Sequence, residues 1–206
     1  MATKITREIL EAYLYCNTKA HLKLAGQQGN KSDYEVLLAA NRQEVRQQAN
    51  GKILSKHSES AVSREIPLTA AALRAGPPIV LDANLEDDLV SLRFDGLKKV
   101  DGPSMLGDFH YVPMLFHEGR KIGKEQRLLL ELYGLLLSQV QGRLPAIGVV
   151  WHGPDCRAAK RPAASSGVNV TLSGSPKIAA AIALQTSTSS PVQLLLSPWL
   201  EKPSNP

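Results

Sequence analysis

The sequence predicts a mixed α/β (α+β) domain, one mixed central sheet flanked by helices, and three observations carry that reading. Residues 124–141 bear an apolar stripe at helical spacing. Short apolar runs stand on either side of it, at 109–116 and 146–151. Two more runs, 79–85 and 89–97, are joined by the acidic turn Glu86-Asp87-Asp88. Strand, helix, strand is a crossover that covers a sheet face, and two runs joined by a tight turn make a hairpin, so both kinds of neighbour belong to the sheet. The 206 residues, 43% hydrophobic and 5% aromatic, suit one domain plus a tail and exclude a coiled coil, a collagen-like chain and a fully disordered one.

At the start of the chain, Thr6 is placed to cap a helix in which Ile9, Leu10, Tyr13, Leu14 and Cys16 recur at helical spacing toward Leu22 and Leu24, with Gly26 and Gly29 closing it. Ser32 and Glu35 have capping-box spacing, so a second helix is expected over 33–49, stopping before Gly51. Its polar residues Arg42, Gln43, Glu44, Arg46 and Gln47 read as a solvated face. Residues 61–68 read as a strand, 69–74 as a helical turn closed by Gly76, and Pro77-Pro78 as a break. Residues 100–107 contain Asp101-Gly102-Pro103-Ser104 and read as a loop before the run 109–116, which gives at least three neighbouring antiparallel strands. The helix over 124–141 buries Leu128, Leu129, Leu132, Leu135 and Leu136 and ends at Gly142.

Charge is distributed unevenly. The 24 Lys+Arg and 19 Asp+Glu give +5, a weak preference for polyanions. Beyond Pro162 the charged side chains are Lys177, Glu201 and Lys202, so residues 1–162 carry 22 basic and 18 acidic groups. The segment 163–206, rich in Ser, Thr, Ala and Pro, reads as a mostly disordered or weakly docked tail. No run approaches the roughly 18 apolar residues of a membrane span and no apolar leader opens the chain, so a soluble, cytoplasmic protein with no membrane partner is expected. Cys16 and Cys156 are too far apart for a local metal clip and too few for a disulfide framework.

Three places carry chemistry-bearing residues. Asp95 stands before Gly96 at a strand end, with Arg93 before it and Lys98-Lys99 after it. Asp108, His110, Tyr111, His117 and Glu118 cluster along one strand, although His110 and His117 face opposite sides if that strand is regular. His152 and Cys156 stand four apart in a loop, a weak metal spacing with only two ligand-type groups.

The order of these pieces resembles the RecB-like branch of the PD-(D/E)XK nuclease superfamily, relatives of the CRISPR-associated iron–sulfur exonucleases. Leu14-Tyr15-Cys16-Asn17 matches that branch's cysteine-bearing helix, and Arg93-Phe94-Asp95-Gly96-Leu97 matches its metal-binding aspartate. Tyr111-Val112-Pro113-Met114-Leu115-Phe116-His117-Glu118-Gly119 matches its catalytic strand, and Gln126 and Tyr133 match its following helix. The match covers about residues 1–157. It implies a restriction-endonuclease-like core and a Mg2+- or Mn2+-dependent DNA nuclease, in which carboxylates hold a hard cation that polarises the phosphoryl oxygen and generates hydroxide.

The chain departs from that pattern where the family has glutamate and lysine, for it carries Leu115 and His117. Asp95 is then the main expected metal ligand. Asp108 and Glu118 stand as migrated replacements, and Glu44 and His117 as further catalytic candidates. Lys98, Lys99, Arg120, Lys121, Lys124 and Arg127, with Gln126 and Tyr133, are the expected nucleic-acid contacts. The family's late cysteines are absent beyond Cys156, so an iron–sulfur cluster is not expected and Cys16 reads as a buried helix residue. The loss of charge pattern past Pro162 is what a truncated or frame-shifted longer protein would produce. Three functions follow from these readings: a DNA nuclease or a degenerate, inactive relative; a non-catalytic nucleic-acid-binding module; or an N-terminal fragment that docks a missing C-terminal domain.

Overall fold

The computed structural model describes residues 4–27 and 29–164, so the expectations for the tail lie outside the described residues except at Ala164 and at Ala163, which is buried and donates to the Ala146 carbonyl at 3.1 Å. In chain order the elements are β1 (Ile5–Thr6), α1 (Arg7–Tyr15), α2 (Asn17–Leu24), α3 (Asp33–Leu54), β2 (Val62–Arg64) and α4 (Ala70–Arg74). They continue with β3 (Ile79–Glu86), β4 (Val90–Ser104), β5 (Gly107–His117), α5 (Lys124–Gln141), β6 (Ile147–His152) and β7 (Arg157–Pro162). Seven strands form one mixed sheet in the order β2-β3-β4-β5-β6-β7, with β1 added in parallel to β4. The strands β3, β4 and β5 are antiparallel neighbours, and α5 is the crossover between the parallel strands β5 and β6. The α/β class with a mixed, helix-flanked sheet is therefore the architecture of the described residues.

Helices cover both sheet faces. Val45, Ala49 and Ile53 of α3 pack on Ile79, Leu81, Met114, Phe116 and Trp151. On the other face α5 buries Leu129, Leu130, Leu132, Tyr133, Leu136 and Leu137, and the Tyr133 ring lies 4.4 Å from that of Phe94. Gly134 lets the chain beyond β7 cross close over this helix, because a Cβ there would stand 2.6 Å from the Ala163 carbonyl oxygen.

Several local expectations are corrected. The first helix is two helices, because the backbone at Cys16 is extended, with φ −160° and ψ 107°. That joint turns Cys16 off the buried stripe, and it is exposed, not buried. The second helix runs through Gly51 to Leu54, since its apolar positions Val45, Ala49 and Ile53 continue the packed face. The strand expected over 61–68 shortens to Val62–Arg64, ended by the left-handed backbone of Glu65 at φ 53°. The loop expected over 100–107 is mostly strand: β4 pairs with β5 as far as Ser104 and Gly107, around a tight turn at Met105 and Leu106. A further strand, β7, for which the sequence raised no expectation, pairs with β6. His152, expected in a loop, is the last residue of β6, and the turn that follows carries Cys156 buried at φ 46°.

Candidate functional site

The site forms where β4 and β5 part. Their ladder ends at Gly96 opposite Met114; nearer its start β4 takes β1 as its neighbour at Val90 and Ser91, while β5 takes β6. The parting leaves the Phe116 amide in need of an acceptor, and the Asp95 carboxylate supplies it through Oδ2 at 2.8 Å. The other oxygen, Oδ1, accepts from Arg7 Nη1 at 2.6 Å and from Arg46 Nη2 at 2.5 Å. Asp95 is only 2% exposed, so all three donors meet it out of water.

The two guanidiniums arrive by separate routes. Pairing of β1 with β4 sets Arg7 in the first turn of α1, above Asp95. Arg46 lies on the same stripe of α3 as Ala49 and Ile53, and it stands 5.9 Å from the centre of the Phe116 ring. Its other amino nitrogen, Nη1, donates to Asp82 Oδ1, which also accepts from Arg93 Nε at 3.0 Å. Asp82 has left-handed backbone, φ 58°, which turns its side chain toward α3. Arg46 therefore bridges two buried carboxylates.

The network extends outward. Glu11 accepts from Arg7 Nε at 2.7 Å and from Arg42 Nη1 at 2.8 Å, and Arg42 also reaches Glu118 at 3.3 Å. Burial works against the Glu118 charge, yet the contacts from His117 and Arg42 outweigh it and hold its carboxyl down to about 2. Beside this chain of charges lies a cleft whose walls include Leu14, Tyr15, Leu115, His117, Gln126 and Leu129.

Of the expected residues, the structure brings Asp95, Leu115, His117, Glu118 and Gln126 to one end of the sheet. Leu115 is 1% exposed and presents no ligand atom. His117 is tied to its own loop, with Nε2 3.2 Å from the Lys121 carbonyl oxygen and Nδ1 3.6 Å from Glu118. Asp108 is not brought there: it is the second residue of β5, seven residues from Leu115, a strand distance of roughly 20 Å at about 3.3 Å per residue. Glu44 is exposed, lies two residues from both Arg42 and Arg46 and so on the opposite side of α3, and accepts from Gln48 at 3.2 Å. His110 and His117 do not meet, since His110 is buried and directed at the Gly102 carbonyl.

The expected nucleic-acid contacts also divide. Lys98 and Lys99 pair with Val112 and Tyr111, toward the hairpin end of β5, while Arg120, Lys121, Lys124 and Arg127 follow its other end. Lys99 is engaged within the fold, donating to the Gly76 carbonyl at 3.2 Å over the Phe109 ring. Tyr133 is corrected: it is 0% exposed and its hydroxyl donates to the Arg93 carbonyl, so it offers nothing to a ligand. Gln126 stays at the surface, bonding Tyr15 Oη at 2.9 Å and accepting from the Gly123 amide.

The donor set around Asp95 does not fit a divalent cation. Its nearest charged neighbours are guanidiniums, the adjoining strand position is Leu115, and among the described residues no three His, Cys, Asp or Glu side chains are placed to hold a metal ion. Arg7, Glu11, Arg42, Arg46 and Asp82 were not read from the sequence as site residues. The signal was present in α3, where Arg42 and Arg46 fall in step with Ala49 and Ile53, and in α1, where Arg7 and Glu11 stand four apart. Compared with known proteins, the chain matches no protein-family model and no curated protein.

Proposed function

We propose that the chain is a degenerate relative of the RecB-like nucleases, one that binds nucleic acid and does not cut it. The observation that carries this reading is the state of Asp95, whose two oxygens are committed to Arg7, Arg46 and the Phe116 amide. Hydrolysis of a phosphodiester by this branch requires carboxylates free to hold a hard cation and a cation to stabilise the developing charge. Here arginines stand in the cation's place, and Leu115 and His117 occupy the positions of the second carboxylate and the lysine. Binding requires only accessible cations, and Arg120, Lys121, Lys124 and Arg127, in the loop after β5 and the first turn of α5, are exposed.

The test is incubation of the full chain with end-labelled single- and double-stranded DNA and RNA, with and without Mg2+ or Mn2+, read both by mobility shift and on a denaturing gel. Salt-sensitive retardation with strands left intact is expected. Metal-dependent cleavage that Asp95→Asn abolishes would contradict the reading, and so would failure to retard any of the four substrates.

A further inference from the structure

Resting on that reading, we infer that the nucleic acid lies on the sheet edge formed by β7 and the turn before it, a surface the linear sequence does not display. Three segments distant in sequence converge there. Lys52, near the end of α3, donates from Nζ to the Asp155 and Cys156 carbonyls in the β6–β7 turn, and Lys56 stands 6.0 Å from the Trp151 ring centre. The loop after β5 comes from the other side: His152 Nδ1 lies 3.0 Å from the Arg120 carbonyl, and Gly153 packs against the Arg120 Cα.

Residues 52–57, 119–124 and 152–161 contain Lys52, Lys56, Arg120, Lys121, Lys124, Arg157, Lys160 and Arg161, with Asp155 among them, which accepts from Arg157 Nη2 at 2.9 Å, and with Glu118 and Glu125 bordering the middle segment, the first of them engaged by Arg42. Lys52, Lys56, Arg120, Lys121, Lys124, Arg157 and Lys160 are exposed.

The register of β7 on β6 wraps this charge around the edge. Arg157 pairs with His152 and shares its face, whereas Lys160 pairs with Val149, on the face packed by α3. A lone cation on an edge strand is explained by its role in blocking strand addition. Cations delivered from α3, from the loop after β5 and from β7 to a single rim go beyond that need. Their counterpart is a run of regularly spaced negative charges, and a phosphodiester backbone supplies one. The edge strand β2, at the other end of the sheet order, carries the single cation Arg64.

The experiment is fluorescence anisotropy of the full chain on labelled DNA and RNA oligonucleotides across a KCl series, comparing wild type with Arg120→Glu/Arg157→Glu/Lys160→Glu and with Arg64→Glu. Each phosphate contact contributes a slope of about −0.7 to −0.9 in log affinity against log salt, so the triple variant is expected to lose about two to three units of slope and at least tenfold in affinity. Arg64→Glu should stay within about twofold of wild type. If the charge-reversed triple fails to fold by circular dichroism, the neutral Gln triple replaces it, with about the same loss of slope expected. Wild-type binding that either folded triple retains would overturn this surface and leave the proposed function standing. Absence of wild-type binding to any oligonucleotide, including the case in which only anionic vesicles are bound, would overturn both.

Discussion

Asp95 concentrates the physics of this domain in one side chain. A carboxylate at 2% exposure is sustained by two guanidiniums and a backbone amide, and removing one member of such a buried set leaves uncompensated charge behind. Asp95→Asn should therefore cost about 3 kcal/mol or more in urea unfolding, with the transition still cooperative. Glu118 gives a pH signature. Its folded carboxyl is held down to about 2 while the unfolded one titrates near 4.5, so the unfolded chain takes the proton first. The stability Glu118 contributes is complete above about 4.5 and is lost as pH falls toward 2. Glu118→Gln should flatten that part of the acid limb in melts taken between pH 6 and pH 2, and an unchanged limb would count against the contact. At this scale Asp95 was legible as a carboxylate before a glycine in an apolar run, but the strand end expected there is corrected, because β4 continues through Gly96 to Ser104 between β3 and β5. Its partners were not, because arginines on a helix usually read as solvated, and only their phase with Ala49 and Ile53 betrays that Arg46 points inward.

Elements were legible wherever apolar periodicity and caps agreed. Ser32 and Glu35 form the capping box that starts α3, and Gly142, in left-handed backbone at φ 65°, ends α5. Misreadings arose where tertiary contacts overrule local signals. Gly51 lies inside α3 because Ile53 beyond it is packed, and Gly102 and Pro103 lie inside β4 as an unpaired irregularity between the pairs Asp101–Phe109 and Ser104–Gly107, where the register with β5 shifts. Gln141 shows how an element end can complete a sheet. Fully buried, it accepts from the Tyr111 amide at 2.8 Å and donates to the Tyr111 carbonyl at 3.1 Å, serving as a strand partner before the β5–β6 pairing begins at Met114 and Val149. Gln141→Met keeps the volume and strands both backbone groups, so a loss of about 2–4 kcal/mol is expected from chemical denaturation. A loss below about 1 kcal/mol would mean that water replaces the amide.

For the whole molecule, the mixed sheet follows from two connection types that the sequence displays, a hairpin between β3 and β4 and a helical crossover between β5 and β6. The additions β1, β2 and β7 are two, three and six residues long, and β1 and β2 are too short to carry a period of their own. Among them β1 matters most, since its pairing at Val90 and Ser91 brings Arg7 over Asp95 and closes the gap between β4 and β5 with a cation from the chain itself. No helix among the described residues is long and apolar enough to cross a membrane. If the chain is the degenerate nuclease relative proposed above, arginine stands at Asp95 where that family holds a cation, and Mn2+ titration followed by electron paramagnetic resonance reads this at the site itself. The free Mn2+ signal of wild-type protein is then expected to track that of Asp95→Asn at every concentration. A stoichiometric, tightly bound Mn2+ in wild type that vanishes in Asp95→Asn would contradict it.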